Sequence, residues 1–123
     1  MIKGHCHCKK VNYSIKGESS FQFLCHCHSC RTLNGGGHLS GAIFPKDSFE
    51  FSGPTKIYEY KGGSGETIKA HFCENCGNHL FAFPCFKEEI VVVKANTFES
   101  QDDFRPMKSI FVEEKFPWDA EIK

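Results

Sequence analysis

Apolar and polar positions alternate along this chain in short runs, and each run is soon broken by turn-forming residues. No stretch keeps apolar residues at helical spacing over several turns, so the pattern predicts a mostly β protein. Strands are expected at 11–15, 21–24, 39–44, 49–51, 56–60, 67–72, 80–83, 90–95 and 107–112. The sharpest breaks are Asn34-Gly35-Gly36-Gly37, Ser52-Gly53-Pro54 and Gly62-Gly63-Ser64-Gly65, where glycine reaches positive φ without steric penalty. They separate strands, not domains. With 123 residues and no repeat or low-complexity tail, 1–123 reads as a single domain.

Composition adds an interior to this frame. Hydrophobic residues make up 40% of the chain and 13 are phenylalanine, enough apolar surface for a core. The Phe-rich stripes are assigned to it, and Trp118 after Pro117 is expected to seal it. Lysine plus arginine and aspartate plus glutamate each number 15. That balance argues against a general nucleic-acid binder and against a polybasic membrane binder. No apolar run approaches the ~20 residues of a spanning helix. The start, Met1-Ile2-Lys3-Gly4-His5-Cys6, lacks the apolar core of a signal peptide, so the cytoplasm is the expected compartment.

Eight cysteines then change the picture. In a reducing compartment, clustered thiols read as metal ligands or catalytic groups, not as a disulfide framework. Cys73-x-x-Cys76-Gly77 has the spacing of a zinc knuckle, with glycine to permit the turn. Cys6-x-Cys8, expected on an extended segment whose side chains share a face, is its natural complement. Together they predict a closed four-cysteine zinc site, a long-range cross-link whose binding energy is folding energy. The remaining group, Cys25-His26-Cys27-His28-Ser29-Cys30-Arg31, offers three thiolates and no fourth cysteine within the motif. Two outcomes stay open: His26, His28 or Cys85 closes the shell, or it remains a three-ligand site of the catalytic type. Three thiolates around Zn²⁺ leave a net negative charge, which makes the ion a poor activator of water. A thiol is then the better fourth ligand, deprotonated by the metal and nucleophilic toward an electrophilic carbon.

Gly4-His5-Cys6-His7-Cys8, Val11 and Tyr13, Cys25-His26-Cys27 with Cys30-Arg31, and Phe72-Cys73 with Cys76-Gly77 and Leu80-Phe81 together resemble the glutathione-dependent formaldehyde-activating enzyme family, which includes centromere protein V. Ile110-Phe111 and Lys115-Phe116-Pro117-Trp118 are similar to the family's closing segment. The resemblance implies a β-tent fold of several short antiparallel sheets organised around zinc, with two ions per chain. One would be structural, on Cys6, Cys8, Cys73 and Cys76; the other would sit on Cys25, Cys27 and Cys30. It also implies carbon–sulfur lyase activity on glutathione, or a similar thiol, and formaldehyde or another small aldehyde. Lys9 stands where the family usually has glycine, and Ser109 where histidine is common.

Around the trio, Arg31 is a candidate for a carboxylate of the thiol substrate and His28 for a proton shuttle; Arg105 and Lys69 are weaker cation candidates. Cys85, between aromatics, reads as a buried small hydrophobe. Two other function classes fit the same residues. One is a zinc-stabilised binding or carrier module without catalysis, whose neutral charge disfavours nucleic acid. The other is a methionine-sulfoxide-reductase-like enzyme, for which Cys85 would have to be the nucleophile.

Overall fold

The computed structural model describes residues 1–119. Among the described residues ten strands form two sheets. In chain order they are β1 (Ile2–His5), β2 (Asn12–Ile15), β3 (Phe21–Cys25), β4 (Leu39–Pro45), β5 (Phe49–Ser52), β6 (Thr55–Lys61), β7 (Thr67–Cys73), β8 (His79–Pro84), β9 (Ile90–Lys94) and β10 (Lys108–Ile110). The smaller sheet runs β1-β2-β5, and the larger runs β10-β3-β4-β9-β8-β7-β6. Pairing is antiparallel throughout except for β10, which lies parallel to β3. All nine expected strands are present. The missed strand is β1, whose Ile2-Lys3-Gly4-His5 carries a single large apolar side chain and so no alternation to detect.

One α-helix, α1 (His28–Asn34), was not expected. Seven residues are too few to display a helical period. The feature read only as a loop, Asn34 followed by glycines, is its C-terminal stop: Gly35 takes φ 69° and its N–H donates to the Arg31 carbonyl.

The larger sheet buries both faces, and strand alternation sorts its residues between them. Ala42 and Phe44 of β4 and Val91 and Val93 of β9 face the smaller sheet. There they pack with Tyr13, Ile15, Phe49, Leu80 and Phe81 in the main core. The opposite register, Leu39 and Ile43 of β4 with Ile90 and Val92 of β9, turns toward a second apolar cluster around Phe23, Cys25, Cys27 and Cys30. The edge strand β6 is mostly exposed and carries Lys56, Glu59 and Lys61, charges that discourage further strand pairing. Among the described residues no helix is long and apolar enough to cross a membrane.

Trp118 does not seal the core. It is 69% exposed and stacks on Phe116 at 4.4 Å, while the Arg31 guanidinium lies over the same Phe116 ring at 4.3 Å. The terminal segment thus packs on α1, outside both clusters. Cys85 is exposed as well, because Pro84 ends β8 and the chain turns outward; it lines a shallow groove with Lys46, Lys69 and Glu88.

Candidate metal centres and the adjoining cavity

All eight cysteines are free thiols, and seven of them gather into two groups. Cys6 and Cys8 are not on an extended segment. They occupy the turn joining β1 to β2, where Lys9 takes φ 67° and its N–H donates to the Cys6 carbonyl. A turn, not strand alternation, aims the two sulfurs together. Cys73 ends β7, and Cys76 lies in the turn to β8, with Gly77 at φ 76°. Backbone N–H groups point at the sulfurs on both sides, Val11 to Cys6 Sγ at 3.3 Å and Cys76 to Cys73 Sγ at 3.4 Å. Such donors stabilise thiolate ligands. A side-chain hydrogen bond from Asn75, and then the Lys10 backbone, push the Cys8 thiol down to about 6.

The four donors fit a metal ion. Zn–S bonds of about 2.3 Å place sulfurs about 3.8 Å apart at the corners of a regular tetrahedron. The Cys6–Cys8 and Cys8–Cys73 sulfurs are 3.6 Å apart, and all four lie within 4.8 Å of one another. Because one pair comes from the smaller sheet and the other from the larger, this group joins the two.

Cys25 ends β3, Cys27 immediately precedes α1, and Cys30 lies in its first turn. Their three sulfurs also fall within 4.8 Å, and among the described residues no further histidine, cysteine or carboxylate joins them. Hydrogen bonding from Cys30 pushes the Cys25 thiol down to about 6, with the Cys27 N–H adding to it and burial opposing. The bond to Cys25 and then burial push Cys30 up, and burial pushes Cys27 up. The neighbouring thiols thus favour ionisation of Cys25, and a bound dication would favour ionisation of the other two as well.

The trio lines a cavity of about 320 Å³. Its walls are mainly apolar, from Phe23, Leu39, Ile43, Val92, Ile110 and Phe111. Phe111 holds the left-handed conformation at φ 55°, and Gly63 of the β6–β7 loop brings its backbone so close that a Cβ would sit 3.1 Å from both the Phe111 ring and Cys27. Lys87 lines the wall from an exposed position, and Lys94 is the wall's buried ammonium. It is 4% exposed and donates to Asn34 Oδ1 at 2.6 Å, while Asn34 Nδ2 donates to the Cys30 carbonyl. Burial pushes its ammonium down to about 8, partly offset by the charge of Cys30. Sequence reading missed Lys94, yet the signal was there: it is in phase with Ile90 and Val92 on a strand with both faces buried.

The other candidates lie elsewhere. His28 is exposed at the start of α1, its N–H donating to Glu114 and its Nδ1 3.4 Å from an Arg31 nitrogen. Neither His28 nor Arg31 lines the cavity. Lys69 pairs with Glu59 at 3.6 Å on the surface, and Arg105 is exposed with its N–H donating to Gln22. His26 is buried, but its ring joins His38 and Asp119, not the sulfurs.

A family model described as glutathione-dependent formaldehyde-activating enzyme matches residues 1–114. Among solved structures, a crystal structure of a Rhodobacter sphaeroides protein is similar, with a TM-score of 0.63 at 19% identity, covering 87% of this chain and 98% of its own. At that identity the likeness is one of fold. No curated protein matches the chain.

Proposed function

Since this chain belongs to the glutathione-dependent formaldehyde-activating enzyme family, we propose that its cysteine trio and adjoining cavity make or break the carbon–sulfur bond between a small thiol, glutathione or a similar one, and formaldehyde or another small aldehyde. The observation that carries this reading is the meeting of Cys25, Cys27 and Cys30 in the wall of a cavity large enough for small reactants, without a fourth ligating side chain among the described residues. Our reading assigns one zinc ion to Cys6, Cys8, Cys73 and Cys76 as a structural clamp within a β-tent scaffold. A second is assigned to the trio, in a cytoplasmic setting that keeps the thiols reduced. Zinc at the trio would lower the pKa of an incoming thiol and keep its sulfur nucleophilic.

The chain supplies the rest. Apolar walls exclude water and strengthen every charge interaction inside. When a thiol adds to an aldehyde, the sulfur electron pair forms the carbon–sulfur bond, the carbonyl π pair moves to oxygen, and oxygen takes a proton. Lys94 Nζ, protonated at neutral pH and buried in the wall, holds that proton; the S–H proton leaves to solvent and restores the balance. The reverse reaction runs through the same groups. Lys87, an exposed ammonium lining the cavity, is the group we assign to a substrate carboxylate.

Zinc retained after dialysis tests the assignment. The parent is expected to keep two ions per chain, Cys27→Ser one, and Cys73→Ser to lose its fold by circular dichroism. Cobalt substituted at the trio should change its spectrum when thiol is added, and hydroxymethyl thioether should form faster than without protein. A folded Cys73→Ser protein with undiminished zinc, or a parent whose cobalt spectrum ignores thiol, would overturn the reading.

A further inference from the structure

His26 sits between two cysteines of the trio, but its ring is turned to the other side of the segment. It is 4% exposed, and its backbone N–H is fixed to the Ile110 carbonyl at 3.0 Å. His38, on the loop entering β4, brings its ring to 5.4 Å from that of His26, centroid to centroid. Asp119 completes the group from the terminal segment. Its carboxylate reaches in over Gly37, where a Cβ would meet Oδ2 at 2.8 Å, and Gly37 takes φ 87°. A Cβ there would make the carboxylate shift, and the positive φ itself favours glycine.

Two facts set this cluster apart from an ordinary histidine–carboxylate pair. The Nδ1 atoms of His26 and His38 are both buried and have no hydrogen-bond partner, although buried polar nitrogens are nearly always paired. The Asp119 carboxylate stops 3.9 Å from His26 Nδ1, beyond hydrogen-bond reach. Donors around a shared ion stand at such separations: metal–nitrogen and metal–oxygen bonds of about 2.0–2.2 Å put neighbouring ligand atoms roughly 3–4 Å apart. The three ligand atoms here lie within 4.8 Å of one another.

We infer that His26, His38 and Asp119 form a third cation site, taking a divalent transition ion of the zinc, cobalt or nickel class through two imidazoles and a carboxylate. That donor set suits borderline metals and disfavours calcium and magnesium, which take oxygen. The site has fewer and harder donors than the cysteine groups and a part-exposed carboxylate, so it binds more weakly than they do. Its occupant would pin the terminal segment to the loop before β4 and to the segment bearing the trio. The inference does not rest on the thiol–aldehyde reading.

The test starts from protein dialysed so that only tightly held zinc remains, titrated with Ni²⁺. The parent is expected to take one further equivalent, and paramagnetic broadening should erase the imidazole signals of His26 and His38 before those of His5 and His7. His38→Gln should lose that equivalent and keep the dialysis-resistant zinc. If His38→Gln fails to fold, Asp119→Asn, at a part-exposed position, should weaken the uptake at least tenfold. Equal nickel uptake by parent and variant, or His26 and His38 signals untouched at one equivalent, would overturn the site.

Discussion

Lys9 holds a left-handed backbone in the turn that presents Cys6 and Cys8, where its N–H donates to the Cys6 carbonyl. That conformation costs a residue with a Cβ about 1–2 kcal/mol, while glycine gives back about 0.5–1 kcal/mol through its freer unfolded chain. Lys9→Gly is therefore expected to raise the unfolding free energy by roughly 0.5–1 kcal/mol in denaturant titrations; a loss would contradict the strain argument. The family habit of glycine there made the position legible in sequence, though its φ was not. Lys94 was the reverse case, a single lysine that matters only because it is walled in. Replacing it by methionine removes a buried charge without leaving a gap. Lys94→Met should fold at least as stably as the parent and lose about 10²-fold or more in kcat with little change in KM. A variant of undiminished kcat would take the proton role from Lys94.

The helix α1 and the β6–β7 loop both border the cavity and meet each other at Gly63 and Cys27, and the end of the one and the whole of the other read only as breaks. Asn34-Gly35-Gly36-Gly37 ends a helix, and Gly62-Gly63-Ser64-Gly65 brings its backbone against Cys27 and Phe111. The strands themselves were legible because a period of two survives over four or five residues, whereas a seven-residue helix has no period to show. Gly63→Val places branched methyls where even a Cβ is tight. We expect the variant to keep its circular dichroism spectrum and tight zinc while KM for the thiol rises severalfold. Unchanged kinetics would mean that the loop does not shape the cavity.

The two sheets meet through the main core and through the four-cysteine group, and His71 shares the joint. His71 stacks on Phe81 at 4.8 Å and meets Phe51 of the smaller sheet edge-on at 5.8 Å; His79 stacks on Phe72. Burial pushes both pKa values below the ordinary imidazole value of 6.5. As pH falls through 6.5 the unfolded chain takes up protons that the folded chain refuses, so stability must fall on that side. The thermal midpoint is expected to drop between pH 7 and 5, and the drop should be shallower in His71→Phe, whose ring carries no proton to gain. Equal slopes for the two proteins would exclude His71 as a source of the acid sensitivity.

Cysteine spacing and strand alternation are local properties, so the sequence alone fixed the mostly β class, nine of the ten strands, the grouping of seven cysteines and the family. Neither property encodes which way a turn aims a side chain or what packs above a strand. The joining of Cys6 and Cys8 to Cys73 and Cys76, the burial of Lys94 beside Asn34 and the grouping of His26 with His38 and Asp119 are set by contacts between segments apart in the chain, whereas the turn at Cys6 and Cys8 and the outward Cys85 are local features that carry no hydrophobic period. Such contacts form only when the chain has folded, so no local pattern announces them.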